Sequence, residues 1–296
     1  MVGARASRYR VRTLIPPTDA HAAVARLLDE HGGKIYGLGL RLCGSPQDAE
    51  DLVQETFLRA LRKWHTFEGR SEPSSWLFTI AARVCRRRHR RRSGEPRRLQ
   101  SLDELLPSPL DPSIPDLPAA DLSPLDEQLR REARETVEHA LGSLPMALRL
   151  PVLLKDLADL SLAEIAQVLG LKEATVKTRV HRGRLALRRE LERRLPRRAA
   201  APPDHSRSMC LDLLQAKQEA LDRGVDLPLA PDELCSRCRS LFATLDLTRD
   251  ACRQLRAGEL PPRIRSLLGR RLERTAPATH PRQGAATSTA VPRPGP

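Results

Sequence analysis

Apolar residues recur at helical spacing along most of the chain. Leu52, Val53, Phe57, Ala60, Leu61 and Trp64 form one stripe, and Trp76, Leu77, Ile80, Ala81, Val84 and Cys85 form another. Ser45-Pro46-Gln47-Asp48 marks the start of the first of these helices: Ser45 caps, Pro46 fits the first turn and Asp48 faces the positive end of the dipole. Helical pattern covers about residues 21–95, resumes over 126–195, and returns in a third block at 206–273. Strand signals are scarce, so the fold expected is all-α. Residues 1–20 read as a flexible basic lead-in and 274–296 as a disordered Ala/Pro/Thr/Gly-rich tail.

Between the first two blocks the composition inverts. No Lys or Arg occurs from Leu99 to Gln128, while Asp103, Glu104, Asp111, Asp116, Asp121, Asp126 and Glu127 are acidic. Pro107, Pro109, Pro112, Pro115, Pro118 and Pro124 exclude a continuous helix, which makes 96–125 an extended, negatively charged linker.

The 296 residues are enough for two or three small domains. A net charge of +14 implies a polyanionic partner, nucleic acid or an acidic membrane face. No apolar run approaches the roughly 20 residues of a spanning helix, and the N-terminus lacks the apolar segment of a signal peptide. A cytoplasmic protein without membrane insertion is therefore expected. Its six Cys are then buried thiols, metal ligands or redox sensors rather than structural disulfides.

The strongest local signal is Ser161 to Arg189. Ser161 and Glu164 form a capping box, after which Ala166, Gly170 and Val176 fall where a helix-turn-helix needs a small residue, a turn and a branched core residue. The second helix offers Thr175, Lys177, Thr178, Arg179, His181, Arg182 and Arg184 for phosphates and base edges. An ordinary helical hairpin with a solvated basic face is the competing reading.

Six of the eight aromatic residues lie between Tyr36 and Phe78. Most suit a core. The loop Phe67-Glu68-Gly69-Arg70-Ser71 stands apart, because it precedes a helix with Trp76, Arg83, Arg86 and Arg87 that runs into an arginine tract. Such a loop can receive an unstacked base while the arginines neutralise phosphates. A generic solvated or RNA-binding tail remains open for the tract alone.

Asp48-Ala49-Glu50-Asp51-Leu52-Val53-Gln54-Glu55-Thr56-Phe57-Leu58 resembles the region-2 helix of extracytoplasmic-function sigma factors. Leu144-Pro145, Leu160 to Ala166 and Thr175 to Arg184 resemble region 4 of the same family. The resemblance implies two helical sigma domains across a linker that threads the polymerase; plain solubility is the other reading of that linker. It implies docking of Asp48, Asp51, Gln54, Glu55 and Leu58 on the β′ clamp of core RNA polymerase, and of region 4 on the β flap. Minus-ten recognition falls to Phe67, Arg70, Trp76, Arg83, Arg86 and Arg87. Minus-thirty-five recognition falls to Thr175, Lys177, Thr178, Arg179, Arg182 and Arg184. A separate anti-sigma factor is a common partner in that family. Independently, Asp48, Asp51 and Glu55 stand at helical spacings of three and four, an acidic ridge for a basic partner helix.

The third block carries Cys210 and the pair Cys235-Ser236-Arg237-Cys238. This resembles a zinc-binding anti-sigma fold, with Pro231 where that pattern has His. Cys210, Cys235 and Cys238 are candidate ligands for zinc or copper, with His205, Asp232 or Cys252 as the fourth; Cys252 needs a helix break near Thr248-Arg249-Asp250. Small buried thiols in a helical hairpin are the alternative. Cys43 and Cys85 belong to apolar faces. The expected function is a sigma factor regulated in cis by this block, against a helix-turn-helix regulator that never enters the polymerase. An enzyme is disfavoured, since there is no paired acid and base, phosphate loop or open metal motif.

Overall fold

The computed structural model describes residues 20–89, 102–106, 111–117, 124–229, 234–255 and 259–274. The basic lead-in before residue 20, the arginine tract beyond residue 89, Asp232 and the tail from residue 275 lie outside the described residues.

The first block is a helical bundle: α1 (Ala20–Cys43), α2 (Pro46–Lys63) and α3 (Pro73–His89). Gly39 lets α1 and α2 touch backbone to backbone, since a Cβ there would stand 2.9 Å from the Cα of Ala49. Helix α2 starts as its sequence dictates: the Ser45 hydroxyl accepts from the Asp48 amide at 3.1 Å. Leu52, Val53, Phe57, Leu77, Ala81 and Val84 pack without solvent exposure between the three helices. Cys43 and Cys85 are buried as expected, and the Cys85 thiol is pushed up by its hydrogen bond to Cys43 and by burial.

The linker's described residues, 102–106 and 111–117, are extended only in part, and they are tied down. One turn of helix, α4 (Leu102–Leu105), buries Leu105 completely. Strand β1 (Ser113–Pro115) pairs antiparallel with β2 (Arg197–Ala199), Ile114 opposite Arg198. Five side chains hold carbonyls of its described residues: Arg188 and Arg189 donate to Leu105 O and Glu104 O at 3.0 and 2.8 Å, Arg197 donates to Ser113 O at 2.7 Å, and Arg237 and Ser240 donate to Asp111 O and Pro115 O, each at 2.9 Å. An isolated acidic segment has no reason to adopt this course; the arginines of later helices supply it.

The second block comprises α5 (Pro124–Ser143), α6 (Met146–Val152), α7 (Leu162–Leu169) and α8 (Glu173–Glu192). Pro151 sits inside α6 without an amide to donate, and the chain runs straight into a widened π turn at Leu153–Leu157. That turn buries Asp156.

Then follow α9 (Arg207–Arg223), α10 (Ser236–Gln254) and α11 (Pro262–Arg274). Ser206 caps α9 and Gly224, at φ 68°, ends it. Helix α10 packs on α5 and α8, and α11 packs on α1 and α2. One continuous apolar core therefore runs from Val24 through Val176 to Leu268. Among the described residues no helix is long and apolar enough to cross a membrane.

Candidate nucleic-acid interface

The helix-turn-helix is built from local signals. The Ser161 hydroxyl accepts from the Glu164 amide at 3.2 Å, and the Glu164 carboxylate accepts from the Ser161 amide at 2.8 Å. Gly170 takes φ 65° and turns the chain into α8, where Val176 is fully buried. Burial raises the Glu164 carboxyl, yet hydrogen bonds from Ser161 and Ser75 outweigh it and hold the group below its ordinary range. The Ser75 bond, 3.0 Å long, reaches from α3 to α7 and joins the first block to the second.

On α8, Thr178 is exposed and donates to Ala174 O at 2.9 Å, while Thr175, Lys177, Arg179 and Arg182 are half-buried. Arg184 departs from expectation. It is 1% exposed, so it is no open DNA contact but the centre of a buried ion network. It grips Asp156 with two bonds of 2.7 and 3.0 Å and donates to Asp222 at 2.6 Å. Burial lowers its pKa, and the two carboxylates more than reverse that and raise it. A guanidinium seven residues along the face from Lys177 reads as exposed until α6 and α9 are placed against it.

Helix α9 supplies what sequence reasoning missed. Glu219 takes the Lys177 ammonium at 2.7 Å, Asp222 takes the His181 ring at 2.7 Å together with Arg184, and Gln218 donates to His181 O at 3.2 Å. Burial raises Asp222, but the His181 hydrogen bond and the Arg184 charge keep its carboxyl below the usual range. A signal for this was present: Lys177, His181 and Arg184 fall at i, i+4 and i+7, and Gln215, Glu219 and Asp222 repeat that spacing.

In the first block, Asp48, Asp51, Gln54, Glu55 and Leu58 share the outer side of α2, all half-buried. The ridge is acidic but occupied. Arg88 lies 3.2 Å from Asp51 and 3.6 Å from Asp48, and Arg87 pairs with Glu55. Phe67 closes an aromatic triad with Trp64 and Trp76, ring centroids 5.2 and 5.5 Å away. Arg70 is exposed beside Glu68, Arg83 is exposed, and Arg86 donates to Leu169 O at 3.4 Å.

The cysteines divide. Cys210 and Cys238 place their sulfurs 3.7 Å apart, and the Cys238 amide donates to the Cys235 sulfur at 3.4 Å. Burial, then the neighbouring thiols, push the Cys238 thiol up. Among the described residues no group of three or more His, Cys, Asp or Glu side chains is arranged to hold a metal ion. Cys252 is no partner for them: α10 runs unbroken to Gln254 and sets it, fully buried, near Asp156 and Arg184.

Two family models match the chain: Sigma-70 region 2 over residues 27–95 and Sigma-70, region 4 over residues 134–187. The ECF RNA polymerase sigma factor SigW of Bacillus subtilis is 34% identical over 170 residues, 57% of this chain and 89% of that protein. The ECF RNA polymerase sigma factor SigE of Mycolicibacterium smegmatis is 38% identical over 169 residues, 55% of this chain and 59% of that one. The sigma factor RpoE of Bartonella quintana, solved with the anti-sigma factor NepR, aligns at 27% identity over 58% of this chain and 91% of its own, with a TM-score of 0.36. Helices α9, α10 and α11 lie beyond both matched segments. With the two regions matched in order and most of SigW covered at this identity, the chain belongs to the ECF RNA polymerase sigma factors, non-enzymatic factors of transcription initiation.

Proposed function

We propose that this sigma factor is cytoplasmic and is held in a promoter-blind state by its own C-terminal extension. The observation that carries the reading is the seat of α9 on α8. Glu219 takes the Lys177 ammonium and Asp222 takes the His181 ring, as DNA phosphates would on a recognition helix, and Asp222 is anchored there by the buried Arg184. Two further contacts support a closed state. Ser75 and Arg86 fasten α3 to α7, and the linker is bound along α8 and α10. Engagement of polymerase and promoter then requires α9 to leave α8.

The test is promoter-specific transcription by core polymerase with full-length wild-type or Glu219→Lys protein. Both ends of the Lys177–Glu219 pair are 36% exposed, and pairs so open to solvent contribute little. Charge reversal should raise initiation a few-fold, and added salt should narrow the difference. Equal activity at every salt concentration would remove α9 from the recognition surface.

The thiols are the responsive element of the same reading. Two sulfurs on a tetrahedral zinc, at Zn–S of about 2.3 Å, stand about 3.8 Å apart. The 3.7 Å between Cys210 and Cys238 suits that edge, while Cys235, whose sulfur accepts from the Cys238 amide, and His205 would have to move in to complete a set for zinc or Cu(I). Metal held there would pin α9 to α10. Wild-type protein purified under reducing conditions should carry one metal ion, and Cys238→Ser should lose it and gain basal transcription. Metal-free wild type, with Cys238→Ser transcribing identically, would leave the thiols as packing.

A further inference from the structure

We infer that the cavity enclosed by the linker, the C-terminal half of α8, α9 and α10 binds an amphipathic organic anion, an apolar body carrying a carboxylate. The cavity measures about 590 Å³, within the range of small-molecule sites. Leu105, Ile114, Leu214 and Leu241 give it an apolar lining. Its polar lining is lopsided: six arginines stand against three carboxylates, Glu104, Asp111 and Glu192. Leu211, 37% exposed, and half-buried Cys210 stand where the cavity meets solvent.

The lining residue that points to a ligand is Arg188, 1% exposed. It donates through Nη2 to Leu105 O, and its Nη1 lies 3.2 Å from Glu192. Its Nε is buried with no hydrogen-bond partner. That atom is shut off from the cavity as it is from water, so an anion in the cavity acts on this under-compensated cation through its charge, while the more open lining arginines make the direct contacts. Burial pulls its pKa below the ordinary arginine value in spite of Glu192, the direction expected of a guanidinium short of counter-charge.

The consequence for regulation rests on the masking reading above. The walls come from four separate segments, so the cavity exists only when linker, α8, α9 and α10 are assembled. A ligand of that cavity binds the closed state and not the open one, and it shifts the balance only by that difference. At a concentration of 100 times its Kd it favours the closed state roughly a hundredfold. The anion is therefore a co-repressor.

The experiment titrates reduced full-length protein with decanoate, below its micelle-forming concentration, and with decanol as the neutral analogue, by calorimetry. One decanoate per chain is expected, with decanol at least tenfold weaker. Leu211→Trp, which fills the mouth at a half-exposed position, should abolish binding. Arg188→Met should bring decanoate down to the decanol level; should that variant fail to fold, Leu211→Trp decides alone. No saturable decanoate binding, equal binding of decanol, or unchanged binding by Leu211→Trp would each overturn the site. These titrations contain neither DNA nor polymerase. Decanoate that binds as described, alongside α9 variants that release nothing, would keep the site and discard the masking.

Discussion

Full-length protein carrying Asp222→Asn is expected to bind promoter DNA, as holoenzyme, at least tenfold more tightly than wild type. Asp222 is the stronger of the two masking carboxylates, because its side chain is 7% exposed whereas that of Glu219 is 36% exposed. Hydrogen bonds to charged groups at such sites contribute about 1.5–3 kcal/mol, and about 1.4 kcal/mol is a factor of ten. The substitution keeps the shape of the side chain and removes the charge that His181 and Arg184 share. Region 4 itself stays folded, since Arg184 keeps both bonds to Asp156. The same contact sets a pH dependence. A carboxyl held below its ordinary value stabilises the closed form above the ordinary carboxylate range, and that stabilisation is lost as pH falls through the lowered value. Acid should therefore loosen α9 in the wild type and leave Asp222→Asn without this transition. Binding measured against a promoter fragment across salt and pH checks both; no gain in affinity would mean α9 leaves α8 at no cost.

The sigma regions were legible because their signals are local. A capping box, a left-handed glycine and a buried valine at fixed spacing define the helix-turn-helix before any tertiary contact is considered. The Ser45 cap defines α2 in the same way. What the sequence concealed is long-range. Nothing near Arg184 in the chain tells that Asp156 and Asp222 will enclose it, because those partners stand 28 and 38 residues away. The linker misled for the same reason: its prolines speak for an extended chain, and the arginines that hold its carbonyls belong to α8, β2 and α10. Candidate residues followed charge and helical face; which of those faces meets solvent was decided by a helix beyond both matched regions.

Asp156→Ala should have the opposite outcome, loss of stability rather than release. Asp156 is 4% exposed and Arg184 1% exposed, so removing the carboxylate leaves a guanidinium inside the protein with Asp222 alone. Breaking one partner of a buried pair costs about 3–5 kcal/mol, most of it the penalty of the charge left behind. With urea slopes of about 1–3 kcal/mol per molar, the unfolding midpoint should fall by about 1 M or more. The two carboxylates serve one cation, so their effects cannot be additive. With Asp222→Asn also present, Arg184 has no anion left, and the loss should exceed the sum of the single changes. Masking then separates from folding: Asp222→Asn gains DNA binding and lowers the urea midpoint only by the closed form's lost advantage, whereas Asp156→Ala loses stability whether or not α9 is docked. A double variant that unfolds no more easily than Asp156→Ala alone would show that water, not Asp222, already satisfies Arg184, and with it that the buried link between α9 and the recognition helix carries little energy.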